Sequence, residues 1–182
     1  AGKALCDYIG DSDRQEIQYG AFIGSGHSGS KLRRAATRIK KEGYRLVRLK
    51  VGEVEVSKDM DRIAQVRDII GDEVDLWIDV NQGWDLIDVA SYVRALEDYG
   101  VMMVEQPFSH NDYVSHGIFQ DLTNMPVMID EGLQSEADLD KVIDLNCAKA
   151  VNLKALKLGS VAETKRLLRK ARNAGLQTYC GG

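Results

Sequence analysis

Hydrophobic and polar positions along the chain switch between two periods. Short apolar runs of strand character recur as IQYGAFIG (17–24), YRLVRLKVG (44–52), DLWIDV (75–80), VMMVEQP (101–107), PVMIDEG (126–132), KAVNLKA (149–155) and GLQTYCGG (175–182). Between them lie stretches of helical period: SKLRRAATRIKKEG, SKDMDRIAQVRDIIG, DLIDVASYVRALEDYG, NDYVSHGIFQDL, SEADLDKVIDL and SVAETKRLLRKARNAG. Several of these open on a Ser or Asp suited to cap a helix N-terminus, and several close on Gly. Seven strands alternating with helices predict an α/β chain with a parallel sheet.

Polar residues at the strand ends choose between an open sheet and a barrel. Lys50, Asp79, Glu105, Asp130 and Lys154 each stand at or near the C-terminal end of one of five successive strands, in steps of 24 to 29 residues. One βα unit therefore separates each from the next. In a barrel these ends converge on one mouth, whereas an open doubly wound sheet spreads them along a line. The barrel accounts better for the pattern. The glycine-rich stretch GSGHSGS (24–30) lacks the acidic residue that would complete a dinucleotide fingerprint, and it reads as a βα loop. A phosphate site there is disfavoured, because barrel phosphate sites follow the seventh and eighth strands.

Composition narrows the function classes. A chain of 182 residues, 44% hydrophobic and 29% charged, can bury a sizeable core and is not of disordered type. Its formal net charge of -4, with Lys and Arg scattered through the helices, gives no basic stripe for nucleic acid. No apolar run is long enough to span a membrane and the first residues show no signal pattern, so the reading is soluble and cytoplasmic. Three widely spaced cysteines, Cys6, Cys147 and Cys180, argue against a disulfide framework and against a Cys-x-x-Cys metal site.

Asp79, Glu105 and Asp130 on three neighbouring strands suit a hard divalent cation such as Mg²⁺, which takes oxygen ligands and keeps positions open for substrate. No His or Cys accompanies them, which speaks against zinc. Arg48 and Lys50 share one strand face. A neighbouring cation and a nearby divalent ion both disfavour the charged form of Lys50, which would make it a usable base. The chemistry suggested is removal of a proton from the carbon next to a carboxylate, with the resulting enediolate stabilised by the metal and Lys154 returning the proton from the other side. Of the histidines, His27 falls in the glycine loop, and His110 and His116 follow the fourth strand as loop or helix residues, with His110 able to line the mouth.

RLKVG (48–52), DVNQGW (79–84), VEQP (104–107), IDEG (129–132) and VNLKALKLG (151–159) resemble, in order and spacing, the barrel motifs of the enolase superfamily. The resemblance is to its mandelate racemase/muconate lactonizing enzyme family, in the muconate-lactonizing-enzyme-like branch that uses a lysine pair. It covers nearly the whole chain. It implies a TIM-type (β/α)7β barrel, of which strands one to seven are present without the N-terminal capping domain and the last strand. Residues 1–16 would lead into the barrel and residues 17–182 would form the incomplete catalytic barrel. It also implies Asp79, Glu105 and Asp130 as Mg²⁺ ligands, with Mn²⁺ as a possible substitute. Lys50 and Lys154 become the acid/base pair, Arg48 the first residue of a Lys-x-Lys motif, and Asn81 and Gln106 residues lining or backing the site. The mandelate type is expected to carry a His on the seventh strand, and GLQTYCGG has none. Arg48 replaces a frequent Lys, and Gly159-Ser160 a frequent Gly-Gly. The implied activity is that of an isomerase or lyase (racemase, epimerase, cycloisomerase or dehydratase) on a small carboxylate, an amino-acid derivative among others. A homo-oligomer, or a second chain completing the barrel, is the implied assembly. The competing expectation is a non-catalytic fragment or pseudoenzyme that assembles with a partner.

Overall fold

The computed structural model describes residues 19–181 together with Gly2, Asp7, Ile9 and Gly10. Apart from those four positions, the segment 1–16, including Cys6, lies outside the described residues. Each expected apolar run contains a strand: β1 (Ala21–Ile23), β2 (Leu46–Lys50), β3 (Asp75–Asp79), β4 (Val101–Glu105), β5 (Val127–Ile129), β6 (Ala150–Leu153) and β7 (Gln177–Cys180). The strands are parallel and lie side by side in chain order. A doubly wound sheet would reverse its order part-way. A strand order that never reverses, with crossovers of one hand, puts every helix on the same face and leaves the other face to curl upon itself.

The curl is visible in one contact. In a flat sheet β3 and β7, four strands apart, would be separated by about 19 Å. The rings of Trp77 on β3 and Tyr179 on β7 instead meet edge to face with centroids 4.7 Å apart. The sheet is thus a half-barrel, and Trp77, Met103, Met128 and Ala150 form a small apolar cluster on its concave face. On the convex face Val47, Leu49, Leu76, Ile78, Val151 and Leu153 join the main core with the helices. In β3 to β6 both faces are largely buried, so these strands read as nearly continuous apolar runs. Each wholly buried aliphatic side chain stabilises the fold by roughly 1.5–3 kcal/mol.

The helices are α1 (Gly29–Lys41), α2 (Val56–Ile70), α3 (Leu86–Val89), α4 (Val93–Asp98), α5 (Tyr113–Asp121), α6 (Glu136–Leu145), α7 (Ala155–Leu158) and α8 (Val161–Asn173). Asp112, Ser135 and Ser160 cap α5, α6 and α8 by accepting the backbone N–H three residues on, which satisfies a donor that the helix leaves open. Two details depart from the periodicity. The stretch 85–100, which reads as one helix, is divided by a 3-10 turn at Ala90–Tyr92. The four-residue α7 is too short to leave a periodic signal. It starts directly after Lys154 and stops at Gly159, whose φ of +83° ends the turn.

At the end of the sheet away from the strand C-termini, Arg67 of α2 ties the chain segments together. Its guanidinium donates to the carbonyls of Gly71, Val74, Tyr99 and Gly100 at 2.6–2.9 Å. Cys147 is buried and Cys180 exposed, both as free thiols. No helix among the described residues is long and apolar enough to cross a membrane.

Candidate active site

Strand alternation, begun in the concave cluster, carries on into the polar residues at the strand ends. Trp77 and Asp79 share a face of β3, Met103 and Glu105 a face of β4, and Arg48 and Lys50 a face of β2. In register, Lys50 stands opposite Asp79, and Asp79 opposite Glu105. Asp79, Glu105 and Asp130 are all buried.

The Arg48 guanidinium reaches across two strands, 2.9 Å from Asp79 Oδ2 and 3.4 Å from Glu105 Oε2. It lies over the rings of Phe22 and Trp77, at 5.7 and 5.5 Å from their centroids. Burial pushes the Glu105 carboxyl up to about 8, the Asp79 charge adding to the effect and Arg48 opposing it. Asp79 is raised as well, chiefly by burial. Apart from the Arg48 guanidinium, no group among the described residues hydrogen-bonds to Asp79 Oδ2 or Glu105 Oε2. One guanidinium shared by two buried carboxyls, with Lys50 acting more weakly on Asp79, does not offset the cost of their burial.

Asp130 is placed differently. Lys154 Nζ lies 2.6 Å from its Oδ2 and Lys157 Nζ 2.7 Å from its Oδ1, and Lys157 also donates to the Asp130 carbonyl. Burial acts to raise this carboxyl, but the two ammonium hydrogen bonds outweigh it and leave it below the ordinary value.

The loops after the strands are held at unusual backbone angles. Asn81, Gln82 and Gln106 have φ of 47°, 71° and 40°, a region that residues other than Gly rarely adopt and that surroundings must enforce. Asn81 donates its backbone N–H to Asp79 Oδ1 and its side-chain amide to Glu131 Oε1. Gln106 Oε1 accepts from the backbone N–H groups of Asp130 and Gly132. Below the mouth, a Cβ on Gly52 would come within 2.3 Å of the Val80 carbonyl, and one on Gly83 within 2.0 Å of the Gly52 carbonyl. The loops carrying Lys50 and Asp79 therefore interlock through two glycines. Asp59 of α2 fastens them from behind, accepting from Gly52 N–H and Trp84 Nε1–H at 2.8 and 3.0 Å.

Most of the expected residues thus gather in two pairings at the strand ends, while Lys50, in register with Asp79, belongs to neither. Arg48 joins Asp79 to Glu105 with Asn81 beside them, and Lys154 joins Asp130 with Gln106 behind it. Three further residues take part that the motif reading passed over. Asn152 donates to Glu105 Oε1 at 2.8 Å and accepts from Gly181 N–H; lying two positions before Lys154, it was within reach of strand alternation. Lys157 is brought back over Asp130 by α7, which the pattern did not predict. Glu131 buries a carboxylate oxygen without a partner next to Asn81. His27 lies in the β1–α1 loop and His116 on α5, while His110 meets Gln82 Oε1 in the loop after β4.

The oxygen donors are of the hard type, and the Asp79 and Glu105 oxygens that face only Arg48 fit a cation. In the arrangement observed, no set of three His, Cys, Asp or Glu side chains among the described residues stands close enough to hold an ion. Arg48, Lys154 and Lys157 are the cations on those carboxylates.

Residues 31–182 match the family described as enolase C-terminal domain-like. Over 181 residues, all of this chain and 47% of the relative, the sequence is 32% identical to o-succinylbenzoate synthase of Geobacillus stearothermophilus. The fold matches the crystal structure of N-succinyl Arg/Lys racemase from Bacillus cereus with a TM-score of 0.89 at 30% identity, covering 96% of this chain and 47% of that one. It matches the dipeptide epimerase of Cytophaga hutchinsonii, solved with Mg and the dipeptide D-Ala-L-Val, with a TM-score of 0.89 at 27% identity, covering 97% and 47%. The relatives are isomerases and lyases of the enolase superfamily. The chain spans about half the length of the curated relatives it matches.

Proposed function

The chain belongs to the enolase C-terminal domain-like family, and on that premise we propose that it carries the proton-transfer half of an active site that abstracts the α-proton of a carboxylate substrate. The observation that carries the reading is the row of three buried carboxylates at one mouth, with Lys50 on the β2 side and Lys154 on the β6 side. A lysine at each end can take a proton from one face of a substrate carbon and return one to the other, which is what racemisation or epimerisation requires. Elimination or cycloisomerisation needs only one of them.

Asp79, Glu105 and Asp130 are the residues that would hold a divalent cation, Mg²⁺ or Mn²⁺. Such an ion supplies counter-charge for the negative charge that develops on the substrate's carboxylate oxygens. Arg48 lowers the cost of keeping Asp79 and Glu105 ionised. Asn152 orients the Glu105 carboxyl, and Asn81 the Asp79 carboxyl. Asp130 has a lysine on each oxygen, so both ammonium groups would compete with an ion for it, and release of Lys154 would also make that lysine available as the base. A purely structural or partner-binding role is not favoured, because it gives no reason to bury three carboxyls at one mouth with a single guanidinium shared between two of them. The matched relatives name candidate substrates: N-succinyl amino acids and dipeptides.

The test is exchange of the substrate α-proton with solvent deuterium, followed by proton NMR on both enantiomers of N-succinyl amino acids and on dipeptides in the presence of Mg²⁺. Exchange is expected for at least one class. Lys154→Ala should lose about 10³-fold in one stereochemical direction and Lys50→Ala in the other, within the usual range for general acid–base catalysis. Lys50→Ala should leave ion binding nearly intact, and Lys154→Ala, which frees one Asp130 oxygen, should not weaken it. Wild-type exchange of both enantiomers by both variants would overturn the two-base reading.

A further inference from the structure

Behind Asp130 lies a buried polar chain that the proposed chemistry leaves unused. His116 of α5 is 1% exposed and Gln106 wholly buried. His116 Nδ1 is 2.6 Å from the carbonyl of Asp112, which can only accept, so Nδ1 carries the proton and Nε2 is left as an acceptor. Gln106 Nε2 lies 3.2 Å from that Nε2 and 3.0 Å from the Phe108 carbonyl, and one amide hydrogen serves each. The amide oxygen then faces the N–H groups of Asp130 and Gly132, at 2.8 and 3.0 Å. Four bonds use all four capacities of the amide. Turned over, it would set NH₂ against two N–H donors and oxygen against a carbonyl.

We infer that His116 is a positioning residue for Asp130: through its Nε2 lone pair it holds the Gln106 amide in one orientation, and that amide holds the peptide from which Asp130 projects into the mouth. Burial pushes the His116 imidazole below its ordinary value, which keeps the accepting form in place. Two other features show that this corner is tightly determined. Gln106 is held at a φ of 40°, and a Cβ on Gly132 would come within 2.7 Å of the His110 carbonyl and 2.9 Å of Ile129 Cγ2. The edge-to-face contact of His116 with Phe108, at 5.2 Å between centroids, fixes the imidazole plane. What Asp130 does at the mouth rests on the proposed function, but the hold on its peptide does not.

Amide hydrogen exchange of the full chain, read by NMR at Asp130 and Gly132, separates the two. His116→Phe keeps the ring and its contact with Phe108 but removes the acceptor, and it should speed exchange at those two amides by at least tenfold, with Ile129 and the α2 amides unchanged. His116→Gln, which can donate to Asp112 and accept from Gln106, should restore slow exchange. Should His116→Phe fail to fold, His116→Asn, too short to span both partners, takes its place in the same comparison. Unchanged exchange at Asp130 and Gly132, or a uniform rise along the chain that His116→Gln does not reverse, would overturn the inference. Absence of α-proton exchange with every substrate would count against the proposed function while leaving this result standing.

Discussion

Asp79 and Glu105, at the ends of β3 and β4, share one guanidinium, whereas Asp130, at the end of β5, has an ammonium on each oxygen. All three carboxyls are buried at the same mouth, yet the first two are pushed above their ordinary values and the third is drawn below it. Burial is common to the three, so the direction is decided by the ammonium hydrogen bonds on each oxygen of Asp130, against a shared guanidinium and repulsion from neighbouring carboxyls at Asp79 and Glu105. One half of the row is built to attract positive charge and the other already holds it. On the proposed function, an ion would enter most readily at the Asp79–Glu105 corner and would have to compete with the two lysines for Asp130.

The sharpest way to break this contrast is to remove the cation from each half in turn. Arg48→Met leaves two buried carboxyls without their counter-charge, and breaking a buried pair in this manner costs about 3 kcal/mol. Lys157→Met leaves Lys154 on Asp130 and should cost about 1 kcal/mol. The sign of the pH effect follows from the raised values. Without Arg48 the two carboxyls bind protons still more tightly when folded, so the loss relative to wild type should grow as the pH rises from 6 to 9. Urea unfolding in the presence of a chelator measures both. Equal losses for the two variants, independent of pH, would remove the distinction between the halves.

Adding a divalent ion sharpens the same contrast. A ligand that binds only the folded chain, at about 100 times its Kd, stabilises it by ~2.7 kcal/mol. Thermal unfolding with and without Mg²⁺ should show that gain for wild type, and little of it for Asp79→Asn, which removes a carboxylate from the corner that lacks charge. Lys157→Met should bind the ion more tightly than wild type, because Asp130 then has one competitor fewer. An Asp79→Asn response equal to that of wild type would place the ion elsewhere.

Much of this was legible in the chain because the fold writes its core and its chemistry in one register. β3, β4 and β5, largely buried on both faces, carry polar side chains only at their ends, so Asp79, Glu105 and Asp130 stand out against WI, MMV and VMI. The steps of 24 to 29 residues then imply a common mouth. Less legible was how the charges would divide. Nothing in RLK says that Arg48 reaches to β4 as well as β3, since that depends on the curl that brings the three strand ends together. Lys157 stayed hidden because its position depends on α7, whose four residues carry no period. His116 was unreadable for another reason. In NDYVSHGIFQDL it is an ordinary polar residue of a helix, and its connection to Asp130 runs through a glutamine ten residues away in the chain.

That connection yields the smallest expected effect, and it bears on the half that already holds its cations. Burial lowers the His116 imidazole in the folded chain, while in the unfolded chain it takes up a proton near its ordinary value of about 6.5. The unfolded state therefore binds more protons below that pH, and the contribution present at pH 7 is lost as the pH falls from about 6.5 toward the lower folded value. His116→Gln has nothing to titrate there. The stability of wild type minus that of His116→Gln, followed by urea unfolding from pH 7.5 to 5, should be flat above neutrality and decline below about 6.5. Asp79 and Glu105, whose shifts favour the folded state as the pH falls, are common to both proteins and cancel in the difference. Parallel curves over the whole range would mean that His116 is free to protonate in the folded chain, which is incompatible with an Nε2 that accepts from Gln106.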